Sequence, residues 1–134
     1  MNHYSVLGSS GLRFGFFVGQ NISHEQENEI LCKSRIAINI HDSHHLHTGF
    51  DTNERTYKSL ALTGAMVSDM GGYKQMKSLF PNIPLCDNPQ VMLKKIGEFL
   101  SFDPAVQKKI KQGNRQNILN HHTYSNRVEK LLSL

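Results

Sequence analysis

Apolar residues recur along this chain at two spacings. Continuous runs at Leu12–Val18, Ile36–Ile40 and Ala65–Asp69, each bounded by glycine or polar residues, predict buried strands, and a brief fourth strand at Leu85-Cys86 follows the turn bracketed by Pro81 and Pro84. Between and after them the spacing changes to three and four. Val91, Leu93, Ile96, Phe99 and Leu100 predict one helix, and Val106, Ile110, Ile118 and Leu119 a second. From Glu54 to Thr63 the residues Tyr57, Leu60, Ala61 and Gly64 share a face expected to pack on the sheet, with Glu54, Arg55 and Lys58 on the other.

Capping chemistry sets the boundaries. Ser23-His24-Glu25-Gln26 reads as a capping box opening a helix to about Ser34, with Glu25, Glu27 and Glu29 near its positive end. Gly64 ends the helix that begins at Glu54, and a short helix is expected from Tyr73 to Leu79. Asn88-Pro89 and Asp103-Pro104 each place a capping side chain before a proline at the first helical position, and Thr123 caps a last helix ending at Leu132. The predicted order is β-α-β-α-β-α-β followed by helices, half of a doubly wound α/β fold with a parallel sheet.

At 134 residues a single domain spanning 1–134 is expected, irregular over 1–11 and helical from 104 to the C-terminus. The net charge is +4, and the basic excess crowds the last third at Lys94, Lys95, Lys108, Lys109, Lys111, Arg115, Arg127 and Lys130. A solvated helical face accounts for it, as does attraction to a nucleotide, an anionic membrane surface or nucleic acid, among which charge alone does not choose; taken with the motifs below, no nucleic-acid partner is expected. Cys32 and Cys86 lack CxxC spacing and read as reduced core residues. Without a leader-like start or an apolar run near the ~20 residues of a membrane helix, a cytoplasmic protein, at most peripheral to the inner face of the membrane, is expected.

The chemistry concentrates after the second predicted strand. In a parallel crossover the loop and the helix start meet at the carboxyl edge of the sheet, where open α/β folds bind ligands. Asn53, Glu54 and Arg55 stand at that helix start, and Lys58 one turn on, so backbone amides, an arginine fork and a lysine offer a clamp for a diphosphate. An exposed helix with a Glu54–Lys58 pair at spacing four is the other reading. His41 and Asp42, directly after the strand, are candidate active-site groups. The polar loop His41-Asp42-Ser43-His44-His45-Leu46-His47 is rich in metal-ligand types but has no HExxH spacing, so no metal is expected. Neither GxGxxG after a strand nor a P-loop is present. His121-His122-Thr123-Tyr124 reads as a helix cap with a packed aromatic.

Asn53-x-Arg55-Thr56-Tyr57-x-x-Leu60-Ala61-x-x-Gly64-Ala65, followed by His122-Thr123-Tyr124-x-x-Arg127, resembles the C-terminal half of GT-B glycosyltransferases, in particular the spore-maturation-type "glycosyl transferases group 1" domain. The likeness covers about Arg13 to Leu132, with Asn114-Arg115 on the intervening helix. It implies a Rossmann-like domain that binds a nucleotide-sugar donor without a divalent metal or other cofactor, for transfer of a hexose to a cell-surface glycan or similar acceptor. By position, Asn53 and Arg55 fall on the family's donor-edge residues and Gly49 on its loop glycine, while His41 or Asp42 would orient the sugar. Where the family usually has Glu, this chain has Lys58. The resemblance also implies an N-terminal acceptor domain that 134 residues do not hold, so a separated or truncated half with a partner chain is expected. A non-catalytic nucleotide-binding or regulatory module of the same fold is the alternative. A response-regulator-like receiver is excluded, because Val18-Gly19-Gln20 lacks the paired acids it needs.

Overall fold

The computed structural model describes residues 11–12, 21–49 and 52–134. The expected strand over Leu12–Val18, Leu12 aside, lies outside the described residues, as does the irregular start before Gly11.

Ser23 caps the first described helix, α1 (His24–Lys33): its hydroxyl accepts the Gln26 N–H, and the Gln26 side chain accepts the Ser23 N–H. Strand β1 (Ala37–Asn39) follows, then a short helix α2 (Ser43–Thr48), helix α3 (Glu54–Leu62) and strand β2 (Met66–Asp69). Helix α4 (Tyr73–Leu79) leads to β3 (Leu85–Cys86), and α5 (Pro89–Ser101), α6 (Pro104–His121) and α7 (Tyr124–Leu132) complete the chain. Asn88, Asp103 and Thr123 cap the last three as expected. The described strands form a parallel sheet in the order β1-β2-β3, with Ile38 opposite Val67 and Ser68 opposite Leu85.

Side chains alternate across β2, and each face carries its own core. Met66 packs with Ala37, Leu60, Met76, Phe80 and Ile118 beneath α3, α4 and α6, whereas Val67 packs with Cys86, Met92 and Ile96 beneath α5. Helices on both faces of a parallel sheet, with a helical C-terminus, make this a Rossmann-like half.

Several local expectations need correction. The polar stretch after β1 is not all loop: α2 occupies Ser43–Thr48, started by the Leu46 N–H on the Asp42 carbonyl. On α3 Leu60 is buried and Tyr57 and Ala61, part-buried, pack against the core as expected, but the buried side also carries Thr56 and Ser59, with Thr63 at the helix end, hydroxyls that the apolar pattern left out. The two threonine hydroxyls meet partners there: Thr56 Oγ1 accepts from the Asn39 side chain and Thr63 Oγ1 donates to the Leu31 carbonyl, both at 2.9 Å. Cys32 is exposed on α1, a helix with no buried residue, and only Cys86 is in the core; both thiols are free.

The inner stripe of α6 is Lys111, Asn114, Arg115 and Ile118 rather than the apolar positions that set its period. Lys111 donates to the Ser34 carbonyl (3.2 Å), Asn114 to the Gly64 carbonyl (2.8 Å) and Arg115 to the Leu62 carbonyl. These side chains satisfy carbonyls left open at the ends of α1 and α3. Val106, Ile110 and Leu119 are consequently exposed, and of the four predicted apolar positions only Ile118 is buried.

Candidate functional site

The carboxyl edge of the sheet is closed by a polar network in which nearly every member is buried. β1 delivers Asn39 and His41, β2 delivers Asp69, and the segment entering α3 delivers Thr52, Asn53 and Thr56. Asp69 Oδ1 accepts from His41 Nδ1 at 2.6 Å and from the Gly71 N–H at 3.1 Å, while Oδ2 accepts the His41 N–H at 2.8 Å. On the far side of the ring, His41 Nε2 lies 3.2 Å from Thr52 Oγ1, which is 2.6 Å from Thr56 Oγ1. Asn39 donates to that Thr56 hydroxyl (2.9 Å) and accepts from Asn53 (3.0 Å), whose own Oδ1 caps α3 at the Thr56 N–H.

Burial pushes the Asp69 carboxyl up, but the hydrogen bonds from the His41 ring, the His41 N–H and the Gly71 N–H outweigh it and hold the group below the usual carboxylate range. Gly71 has no room for a side chain, because a Cβ would stand 2.3 Å from both Cβ and Cγ of His41. Gly49 is fixed for two reasons: its φ is +63°, and a Cβ there would reach 2.4 Å from the Tyr73 ring. The network thus ties both strand ends to the start of α3.

In front of this scaffold, a cleft of about 820 Å³ runs along the outer side of α3. Its walls are His24 and Asn28 of α1, Thr52, Glu54, Tyr57, Lys58 and Ala61 at α3, Gln75 of α4, and Ile118, His122, Tyr124 and Arg127 from the C-terminal helices. Gln75 is locked in place by the Thr52 N–H at 2.9 Å. Lys58 pairs with Glu27 on α1 at 2.5 Å, not with Glu54. The Arg127 guanidinium stands 5.0 Å from the Tyr57 ring centroid and 5.5 Å from that of Tyr124. Tyr57 in turn contacts Phe80 (5.6 Å) and His122 (5.8 Å), which anchors this wall in the core. Partial burial, then the charges of His121 and Arg127, depress the His122 pKa, so its ring is neutral at neutral pH.

The structure therefore divides the residues singled out in the sequence. Glu54 and Lys58 line the cleft. His41, Gly49 and Asn53 stand behind it as scaffold; the His41 side chain has 0% exposure, so it positions its neighbours rather than meeting a ligand directly. Asp42 and Arg55 are exposed and outside the cleft walls. Sequence reasoning passed over Arg127 and Tyr124 as site residues, although the order His-Thr-Tyr-x-x-Arg carried them. It also passed over Asp69 at the end of its strand, Thr52 and Gln75. At 121–124 the cap is Thr123, and the packed ring is His122, with Tyr124 exposed. Among the described residues no three His, Cys, Asp or Glu side chains converge as a metal site would require, and no helix is long and apolar enough to cross a membrane.

Fold and cleft together define a Rossmann-like α/β domain whose sheet edge, built on a buried polar scaffold, opens beside a cation- and aromatic-lined cavity. The chain belongs to the glycosyl transferase-like family, whose profile matches residues 2–133. That assignment agrees with the resemblance to group 1 glycosyltransferases and makes this a glycosyltransferase domain. No curated protein and no solved structure matches the chain.

Proposed function

We propose that the domain binds a nucleotide-sugar donor in the α3 cleft and serves transfer of a hexose to a glycan or similar acceptor. The observation that carries this reading is the pairing of two cations, Lys58 and Arg127, in a cleft of nucleotide-sugar size beside the positive end of α3. As the glycosidic bond to the donor breaks, negative charge grows on the departing nucleoside diphosphate. Fixed cations and helix amides stabilise that charge, a role that a divalent ion fills in other enzymes. Glu54, on the same helix side, is placed to accept hydroxyl hydrogen bonds from the sugar. The buried His41–Asp69 pair acts at one remove, holding the start of α3 in register with the strand ends. Arg55 is a rim residue whose charge adds to the field without direct contact.

Calorimetric titration of the 134-residue chain with nucleoside diphosphates and their sugars tests the reading. Arg127→Ala is expected to weaken binding by about 1.5–3 kcal/mol, the range of a charged hydrogen bond, and Arg55→Ala by distinctly less. Equal losses would move the diphosphate to the rim, and no heat at millimolar ligand would remove the site altogether.

Binding is also expected to survive chelation, because the two cations are part of the protein. Loss of affinity in EDTA with recovery on adding manganese or zinc would show that a metal is required. The ion pair that already engages Lys58 favours a second reading, a non-catalytic nucleotide-binding module. Donor binding without transfer in every pairing with an acceptor domain would select it.

A further inference from the structure

We propose that Tyr124, backed by Arg127 and Tyr57, is the stacking surface for the nucleobase of the donor, which divides the cleft into an aromatic end for the nucleoside and, from Arg127 to Lys58, a cationic stretch for the diphosphate. This inference rests on the donor-binding reading above and adds the chemistry of one subsite to it.

Tyr124 lines the cleft with 76% of its surface exposed, so its ring is open to a ligand. Its position is nonetheless fixed. It is the first residue of α7, directly after Thr123, whose side chain and backbone are locked in a capping box with Asn126. One helical turn later Arg127 lies between the two tyrosine rings, 5.0 Å from Tyr57 and 5.5 Å from Tyr124, and Tyr57 leans on Phe80 in the core. Tyr124 is thus the outer member of a supported ring–guanidinium–ring stack, with its orientation set before any ligand arrives.

Such a surface suits a flat π-system. A base stacked on Tyr124 gains contact area at little further ordering cost, and the adjacent guanidinium can donate to its carbonyl or ring-nitrogen acceptors. A diphosphate has no planar face and is served instead by the two cations, the N–H groups of Arg127 and the Lys58 ammonium. His122, neutral beside the aromatic wall, adds no competing charge there. Because every base presents a π-face, the surface selects nucleotides over other phosphates more strongly than it selects one base over another.

The test compares Tyr124→Ala and Tyr124→Phe with the unaltered chain in calorimetric titrations against a nucleoside diphosphate, inorganic pyrophosphate and a hexose 1-phosphate. Tyr124 is exposed, so both variants should fold, and unchanged circular dichroism verifies this. The expected result is a loss of about tenfold or more for the nucleoside diphosphate in Tyr124→Ala, recovery in Tyr124→Phe, and no change for pyrophosphate. With four tyrosines and no tryptophan in the chain, ring fluorescence quenched by the nucleotide and not by pyrophosphate is an independent sign of stacking. Equal losses for nucleotide and pyrophosphate, a loss confined to hexose 1-phosphate, or unchanged nucleotide affinity would each overturn the subsite while leaving donor binding intact. Failure of the unaltered chain to bind any nucleotide would remove both readings.

Discussion

Replacing Asp69 with alanine is expected to destabilise the domain by about 3–5 kcal/mol, the range for removing one partner of a buried pair. The carboxylate accepts three hydrogen bonds, from the His41 ring, the His41 N–H and the Gly71 N–H, and the two side chains are essentially closed to solvent. Alanine leaves all three buried donors without the acceptor they had. The effect should have a pH signature. Asp69 has a folded-state pKa below its unfolded value, so its contribution is fully present above the ordinary aspartate pKa and is lost as pH falls through the depressed folded value. Denaturant melts between neutral pH and about pH 3 should show the unaltered chain weakening at the acid end, and Asp69→Ala starting low and losing less. A variant as stable as the parent at neutral pH would mean that the network is ornamental to the fold.

That network explains what the sequence reveals and what it hides. Strands and helices were legible because their signals are local. The run Ile36–Ile40 alternates into a sheet, and Ser23, Asn88, Asp103 and Thr123 announce helix starts through side chains that bond amides only two or three residues on. Contacts made across the fold were not legible in the same way. Lys58 sits four residues from Glu54, yet its partner is Glu27, 31 positions away on α1. A period of three and four marks α6 as a helix but does not tell which stripe faces inward. The stripe that does so is mostly polar, because it caps open carbonyls of α1 and α3.

The candidate site follows the same division. The sequence pattern put the start of α3 beside the strand ends, as the parallel topology has it, and the cleft opens along that helix. Which side chains of that helix line the cleft depends on contacts across the fold. Arg55 and Lys58 are three residues apart, which places them on neighbouring parts of the helix surface, but only Lys58 faces the cleft; the second cation comes from α7, 69 positions further on than Lys58. His41 looked available because it follows a strand, whereas Gly71 and Asp69 enclose it completely.

Supplied alone, the 134-residue chain is expected to bind donor and to transfer no sugar, a loss of turnover far larger than any side-chain change within the cleft would produce. On the proposed reading the two cations and the aromatic wall of the cleft serve to hold a donor, and none of its lining residues is assigned to an acceptor. Transfer requires an acceptor hydroxyl held within bonding distance of the sugar and shielded from water; well-oriented reactants gain effective molarities of roughly 10⁵–10⁸ M over free encounter. In the two-domain enzymes this family resembles, a facing domain carries the acceptor. Donor affinity depends on contacts local to this domain and should therefore survive in its absence, while the chemical step should not. Donor hydrolysis and transfer, measured for the chain alone and for the chain paired with a candidate acceptor domain, separate the two contributions. Turnover that appears only in the pairing, at nearly constant donor affinity, is the expected result. Robust transfer by the 134 residues alone would show that these groups suffice to position both substrates, and that the acceptor site lies within the chain.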